Sequence, residues 1–68
     1  MLTILYETKL SVCNTLTVGV EMDFNDQYSI VAHDELGDFF IERFTSHLEE
    51  VQTIADKLHS DIVKNYNK

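Results

Sequence analysis

Residues 37 to 50 read GDFFIERFTSHLEE, and whether this stretch opens a helix decides the architecture. Three of the chain's four phenylalanines stand here among acids. From it onward the pattern is helical. Ile41, Phe44, Leu48, Val51, Ala55, Leu58 and Ile62 are spaced 3, 4, 3, 4, 3, 4, and Phe40 and Ile54 widen the stripe. That spacing lines one face of an amphipathic helix. Acids gather at its start (Asp34, Glu35, Asp38, Glu42) and lysines at its end (Lys57, Lys64, Lys68), as the helix dipole favours. Gly37 supplies a turn, and Asp34 or Asp38 is a suitable N-cap. The expectation is a continuous helix over about residues 38–65. Ser46-His47-Leu48-Glu49 also has the form of a capping box, which would break the helix near residue 45 and leave a short piece before it. Phe39 does not fit the stripe. It either tucks under the joint before the helix or stands exposed among acids as an anchor for a partner.

Upstream the period is two. Leu2, Ile4, Tyr6, Leu10 and Val12 occupy even positions, as do Leu16, Val18, Val20, Met22 and Phe24, then Tyr28, Ile30 and Ala32. Polar residues fill most odd positions, as in strands with one buried and one wet face. Because a one-residue slip turns every side chain over, the hairpin loops must hold an odd number of residues to keep the pattern. Cys13-Asn14-Thr15 then joins Val12 to Leu16, and Asn25-Asp26-Gln27 joins Phe24 to Tyr28. The expected strands lie near 2–12, 16–24 and 28–33. The fold class is α+β, a three-stranded antiparallel meander followed by one long helix packed on one sheet face. Residues 1–68 form one small domain, with the sheet over about 2–33.

Length adds a constraint. A helix over residues 38–65 runs about 42 Å, whereas the strands reach roughly 30 Å. The overhanging turns need cover, and a second copy of the chain is the expected cover, through Val51, Ala55, Leu58 and Ile62 or through open strand edges.

Chemistry-bearing patterns are sparse. His47 has Glu50 and Asp56 has His59 three residues on, but neither pair has a third ligand near it in sequence, so surface histidines explain them. Cys13 is the only cysteine and has no neighbouring base to activate it. Gly19 and Gly37 stand apart, so no phosphate-cradling loop is read. No catalytic residue, cofactor or metal is expected, and the chain is not read as an enzyme. The lone cysteine and an N-terminus without a basic signal region suggest a reducing, cytoplasmic setting.

The net charge of −7 argues against direct contact with nucleic-acid phosphates or an anionic membrane. It favours a protein partner with a basic surface. Asp34, Asp38 and Glu42 are spaced by four, and Glu42, Glu49 and Asp56 by seven, so on a continuous helix they share a solvent-facing ridge. Asp34, Glu35, Asp38, Phe39, Glu42, Glu49 and Asp56 are thus the candidate partner-binding residues. A plain solvated face accounts for the same acids. The functional expectation is a small acidic interaction module that binds and inhibits or regulates another macromolecule, by analogy with phage and mobile-element inhibitors of host nucleic-acid-binding or defence proteins. An assembly subunit packing its helix on a different chain is the alternative, and a small metal- or ligand-binding domain a third.

Overall fold

The computed structural model describes residues 2–66. Its elements are β1 (Thr3–Ser11), β2 (Asn14–Met22), β3 (Tyr28–Asp34), β4 (Phe40–Thr45) and α1 (Leu48–Tyr66). The strands form one antiparallel sheet in chain order, so β1 and β4 are its edges. The helix packs on one face of that sheet. The α+β class and the single C-terminal helix are as the sequence led one to expect, but the sheet has four strands rather than three.

The fourth strand is the main correction. Residues 40–45 do not form the first turns of a helix; they pair with β3, from His33↔Phe40 to Tyr28↔Thr45. The segment FIERFT alternates as well as it spirals, since Phe40, Glu42 and Phe44 share one parity and Ile41, Arg43 and Thr45 the other. Its aromatic and β-branched content suits a pleated surface. The decisive term is pairing across the sheet. β3 presents a row of backbone donors and acceptors on its far side, and pairing with residues 40–45 satisfies them.

The helix accordingly starts where the capping signal stands. Thr45 is buried, accepts the His47 N–H at its hydroxyl (3.1 Å) and donates that hydroxyl to Glu50 Oε1 (2.8 Å). The cap is thus built one residue earlier than the Ser46–Glu49 box implied. The helix of 19 residues spans about 28 Å, close to the length of a nine-residue strand. The expected overhang does not arise.

The core is the part the alternation located. Leu16 and Val18 of β2 and Ile30 and Ala32 of β3 are fully buried, and they pack against Val51, Ala55 and Leu58 of α1. Leu16, Val18, Val20 and Met22 stand opposite Asp34, Ala32, Ile30 and Tyr28, a register without a slip. The loop between them keeps an odd count, as expected, but covers residues 23–27, five rather than three. Asp23 Oδ1 accepts the N–H groups of Asn25 and Gln27 (2.9 and 3.1 Å), and Asp26 takes a left-handed φ of 59°. Phe24 is therefore not paired with Tyr28 but stands wholly exposed at the tip.

The first hairpin departs further. Its loop is Val12-Cys13, with Ser11 opposite Asn14, and the register shifts at Lys9/Ser11 and again at Ile4/Tyr6. Tyr6 and Thr8 oppose Val18 and Leu16 on the helix side, while Ile4 opposes Gly19 on the other. Val12 is 92% exposed rather than paired with Leu16. The reason is Asn14, which is fully buried and is held in β2 by its bonds to the β3–β4 turn.

That turn carries β4 into place. Asn14 Nδ2 donates to Asp34 Oδ2 (3.0 Å), and Asn14 Oδ1 accepts the N–H groups of Glu35 and Leu36 (3.0 and 3.4 Å). Asp34 Oδ1 accepts the N–H of Phe39 (3.3 Å), and Gly37 adopts φ 73°, a conformation costly for residues with a Cβ. Gly37 makes the expected turn, but it launches a strand.

Candidate interaction surface

Strand pairing sets which side chains share the face opposite the helix. Ile4 stands beside Gly19, Gly19 beside Val31 and Val31 beside Glu42. In the adjoining rows His33 pairs with Phe40, and Ser29 with Phe44. Directly opposed residues of an antiparallel pair point to the same side. The outer face of the sheet thus gathers Phe40, Phe44, Ile4 and Val31, and Leu2 lies over Gly19 at its margin. Phe40 is 67% exposed, Phe44 54% and Ile4 54%, whereas Val31 beneath them is 6% exposed.

Acids surround this apolar group. Glu42 sits between the two phenylalanines on β4, and its Oε2 accepts the hydroxyl of buried Ser29 (2.8 Å). Glu7 and Glu21 are exposed on the same face, with Lys9 as its cation. Aromatic side chains ringed by charge are the usual composition of a protein-binding patch, because the rings supply area to bury and the rim excludes or recruits by charge.

The residues singled out from sequence scatter. Asp34 is buried and structural. Burial pushes its carboxyl up, but the bonds from Asn14 and the turn amides outweigh this and hold it below the usual range. Glu35 and Asp38 are exposed in the β3–β4 turn, Glu42 is on the outer sheet face, and Glu49 is exposed in the first helical turn. Asp56 faces β1. There it accepts the Tyr6 hydroxyl and Gln52 Nε2 (2.8 Å for the latter). The Tyr6 and Gln52 bonds lower the Asp56 pKa, and the same Asp56 contact raises that of Tyr6. The single acidic ridge is therefore corrected: it required a continuous helix, and β4 disperses its members. Phe39 is half-buried against the core, packed under the joint rather than exposed.

The stripe expected at a dimer contact packs inward within one chain. Val51, Ala55 and Leu58 are buried against the chain's own sheet, and Ile62 is half-buried beside it. The shorter helix has enough sheet to cover them.

The histidines serve other contacts. His59 stacks on Tyr6 at 4.5 Å between ring centroids, and its Nε2 lies 2.8 Å from Thr8 Oγ1. Glu50 is occupied by Thr45, and His47 stands 3.9 Å from Glu49. Among the described residues, no three His, Cys, Asp or Glu side chains converge on a point. Nor is any helix among them long and apolar enough to cross a membrane.

Sequence reasoning missed Phe40 and Phe44 as a pair. The signal was the apolar–acid–apolar alternation in FIERF, masked by the three- and four-residue spacing that the same residues satisfy. Ile4 had no such signal, because its side depends on the bulge at Leu5. Searches against protein-family models, curated proteins and solved structures give no match for this chain.

Proposed function

We propose that this chain is a small acidic protein-interaction module that acts by binding and inhibiting or regulating another macromolecule, with the outer sheet face as its contact surface. The observation that carries the reading is the pair Phe40 and Phe44, both more than half exposed on one face of an edge strand, with Glu42 between them. Folding alone gives no reason to leave two phenylalanines half in water, since burying the part still exposed would stabilise the domain by about 1–2 kcal/mol each. The net charge of −7 supports a partner with a basic surface. Inhibition of a nucleic-acid-binding or defence protein fits that charge, because such partners carry basic grooves. The exposed free Cys13 is compatible with a reducing, cytoplasmic setting.

Affinity capture from the native host, run in parallel with wild type and a Phe40→Ser/Phe44→Ser variant, tests this reading. A basic protein retained by wild type and lost by the variant is the expected result, with circular dichroism showing both folded. Identical capture profiles would sink it. Light scattering on the same samples reports self-association: a mass near twice 7.9 kDa that falls to one copy in the variant would make the partner a second copy.

A further inference from the structure

From the geometry of β4 we infer that the partner contributes an extended segment that adds to the β4 edge as a fifth strand, with a basic residue opposite Glu42 and apolar residues two positions to either side. This rests on the reading of the outer face as a contact surface and specifies how that surface is used.

Three features of β4 support strand addition. Its pairing with β3 runs in continuous register over the whole strand, so alternate residues turn their backbone N–H and C=O groups to the far side. Arg43 Nη1 donates to the Glu42 carbonyl oxygen (3.0 Å) and, among the described residues, is the one side chain that an added strand must share or displace. Its outer-facing residues, Phe40, Glu42 and Phe44, repeat every second position, as the side chains of an added strand do. On the helix side the space beside β4 is open. An apolar groove of about 350 Å³ is lined by Phe39, Ile41, Ile62, Asn65 and Tyr66, and a smaller, partly charged one of about 180 Å³ by Arg43, Ile54, Lys57, Leu58 and Asp61. An added strand would direct alternate side chains over the phenylalanines and toward these grooves. Main-chain bonds then supply affinity and the pockets supply selectivity.

Charge selects the occupant. A second copy adding to β4 by a twofold axis has two registers of greatest overlap. One sets Glu42 opposite Glu42, and the other sets Arg43 opposite Arg43. Like charges directly opposed destabilise a strand pair, and each copy carries −7 overall. A segment with Lys or Arg opposite Glu42 removes that conflict. One carboxylate oxygen of Glu42 is taken by Ser29, leaving the other for such a cation.

The test uses the full chain and the blocked peptide acetyl-Thr-Val-Thr-Lys-Leu-Val-Thr-amide, followed by NMR of the backbone amides. Saturable shifts centred on β4 are expected, with slowed hydrogen exchange at the β4 amides that do not bond β3. Replacing the peptide lysine by glutamate should weaken binding on the order of tenfold, and Glu42→Lys should reverse that preference. Two further peptides, N-methylated at one or the other set of alternate residues, identify the mode. Strand addition requires that one set abolish binding and the other leave it intact. Equal binding by both, with shifts confined to the outer face, overturns strand addition while the contact-surface reading stands. No saturable shift in β4 with any peptide also overturns it. Slowed exchange of the β4 edge without peptide, with a dimeric mass, would show that a second copy takes the edge and overturn the choice of a basic segment. The reading itself fails separately, if the Phe40→Ser/Phe44→Ser variant keeps its capture profile.

Discussion

β1 and β4 close the two sides of the same sheet, and they are held by opposite means. β1 is irregular, shifting register at Leu5 and Leu10, but its middle is tied to the helix by Tyr6 to Asp56 and Thr8 to His59. Bulges and an edge lysine, here Lys9, make an edge a poor template for another strand. β4 is regular along its length and is secured at its ends, by the Asn14–Asp34 turn before it and the Thr45–Glu50 cap after it. Its outward row is left straight, with Arg43 Nη1 on the Glu42 carbonyl oxygen (3.0 Å). The difference teaches that the β1 side is arranged to exclude further pairing, whereas the β4 side retains the geometry that permits it.

The comparison can be broken most severely at Asn14. Asn14→Ala removes the donor to buried Asp34 and the acceptor for two turn amides, at a cost of about 3 kcal/mol. Urea denaturation should show that loss, and hydrogen exchange in β4 should accelerate before that in β1. On the other edge, Gly19→Ala places a Cβ 2.8 Å from Leu2 Cγ and 2.9 Å from the Thr3 carbonyl oxygen. The start of β1 must then shift, costing about 1–3 kcal/mol. Here the order of exchange should invert, with β1 opening first.

Acid sharpens the contrast with smaller effect. Asp34 serves the approach to β4 and Asp56 serves β1, and both carboxyls are held below their ordinary range. A lowered folded pKa means the proton binds the unfolded chain more readily. The stability each group adds is thus complete above about pH 4 and is lost as pH falls through the lowered folded value. Urea midpoints measured from pH 6 down to pH 2 should decline below about pH 4, and Asp34→Asn should remove part of that decline. Tyr6→Phe is the mildest change. It deletes the hydroxyl that Asp56 accepts while keeping the ring stacked on His59, so the urea midpoint should drop less than in Asn14→Ala. A drop as large as that of Asn14→Ala would mean that the β1 clasp, and not the β4 turn, is the main fastening.

Much of the fold was legible where one residue pattern admitted one geometry. Leu16, Val18, Ile30 and Ala32 alternate, and Val51, Ala55 and Leu58 recur at helical spacing, so the apolar sets of the β2–β3 pair and of α1 could be read directly. The candidate site was legible only in part. Glu42 stands out by its spacing, yet Phe40 and Phe44 satisfy a helical stripe as well as a strand, and Asp34 reads as a surface acid although it locks a turn.

By itself, then, the sequence determined an antiparallel sheet, a C-terminal helix, the residues that meet between β2, β3 and α1, and an acidic surface. These follow from local periodicity and composition, which need no knowledge of distant partners. Only the tertiary structure decided that residues 40–45 extend the sheet, that Asn14 belongs inside it, and that a bulge at Leu5 turns Ile4 outward. In each case two local conformations were comparably good. The choice fell to hydrogen bonds between residues far apart in the chain, β4 with β3 and Asn14 with Asp34, which local periodicity does not register.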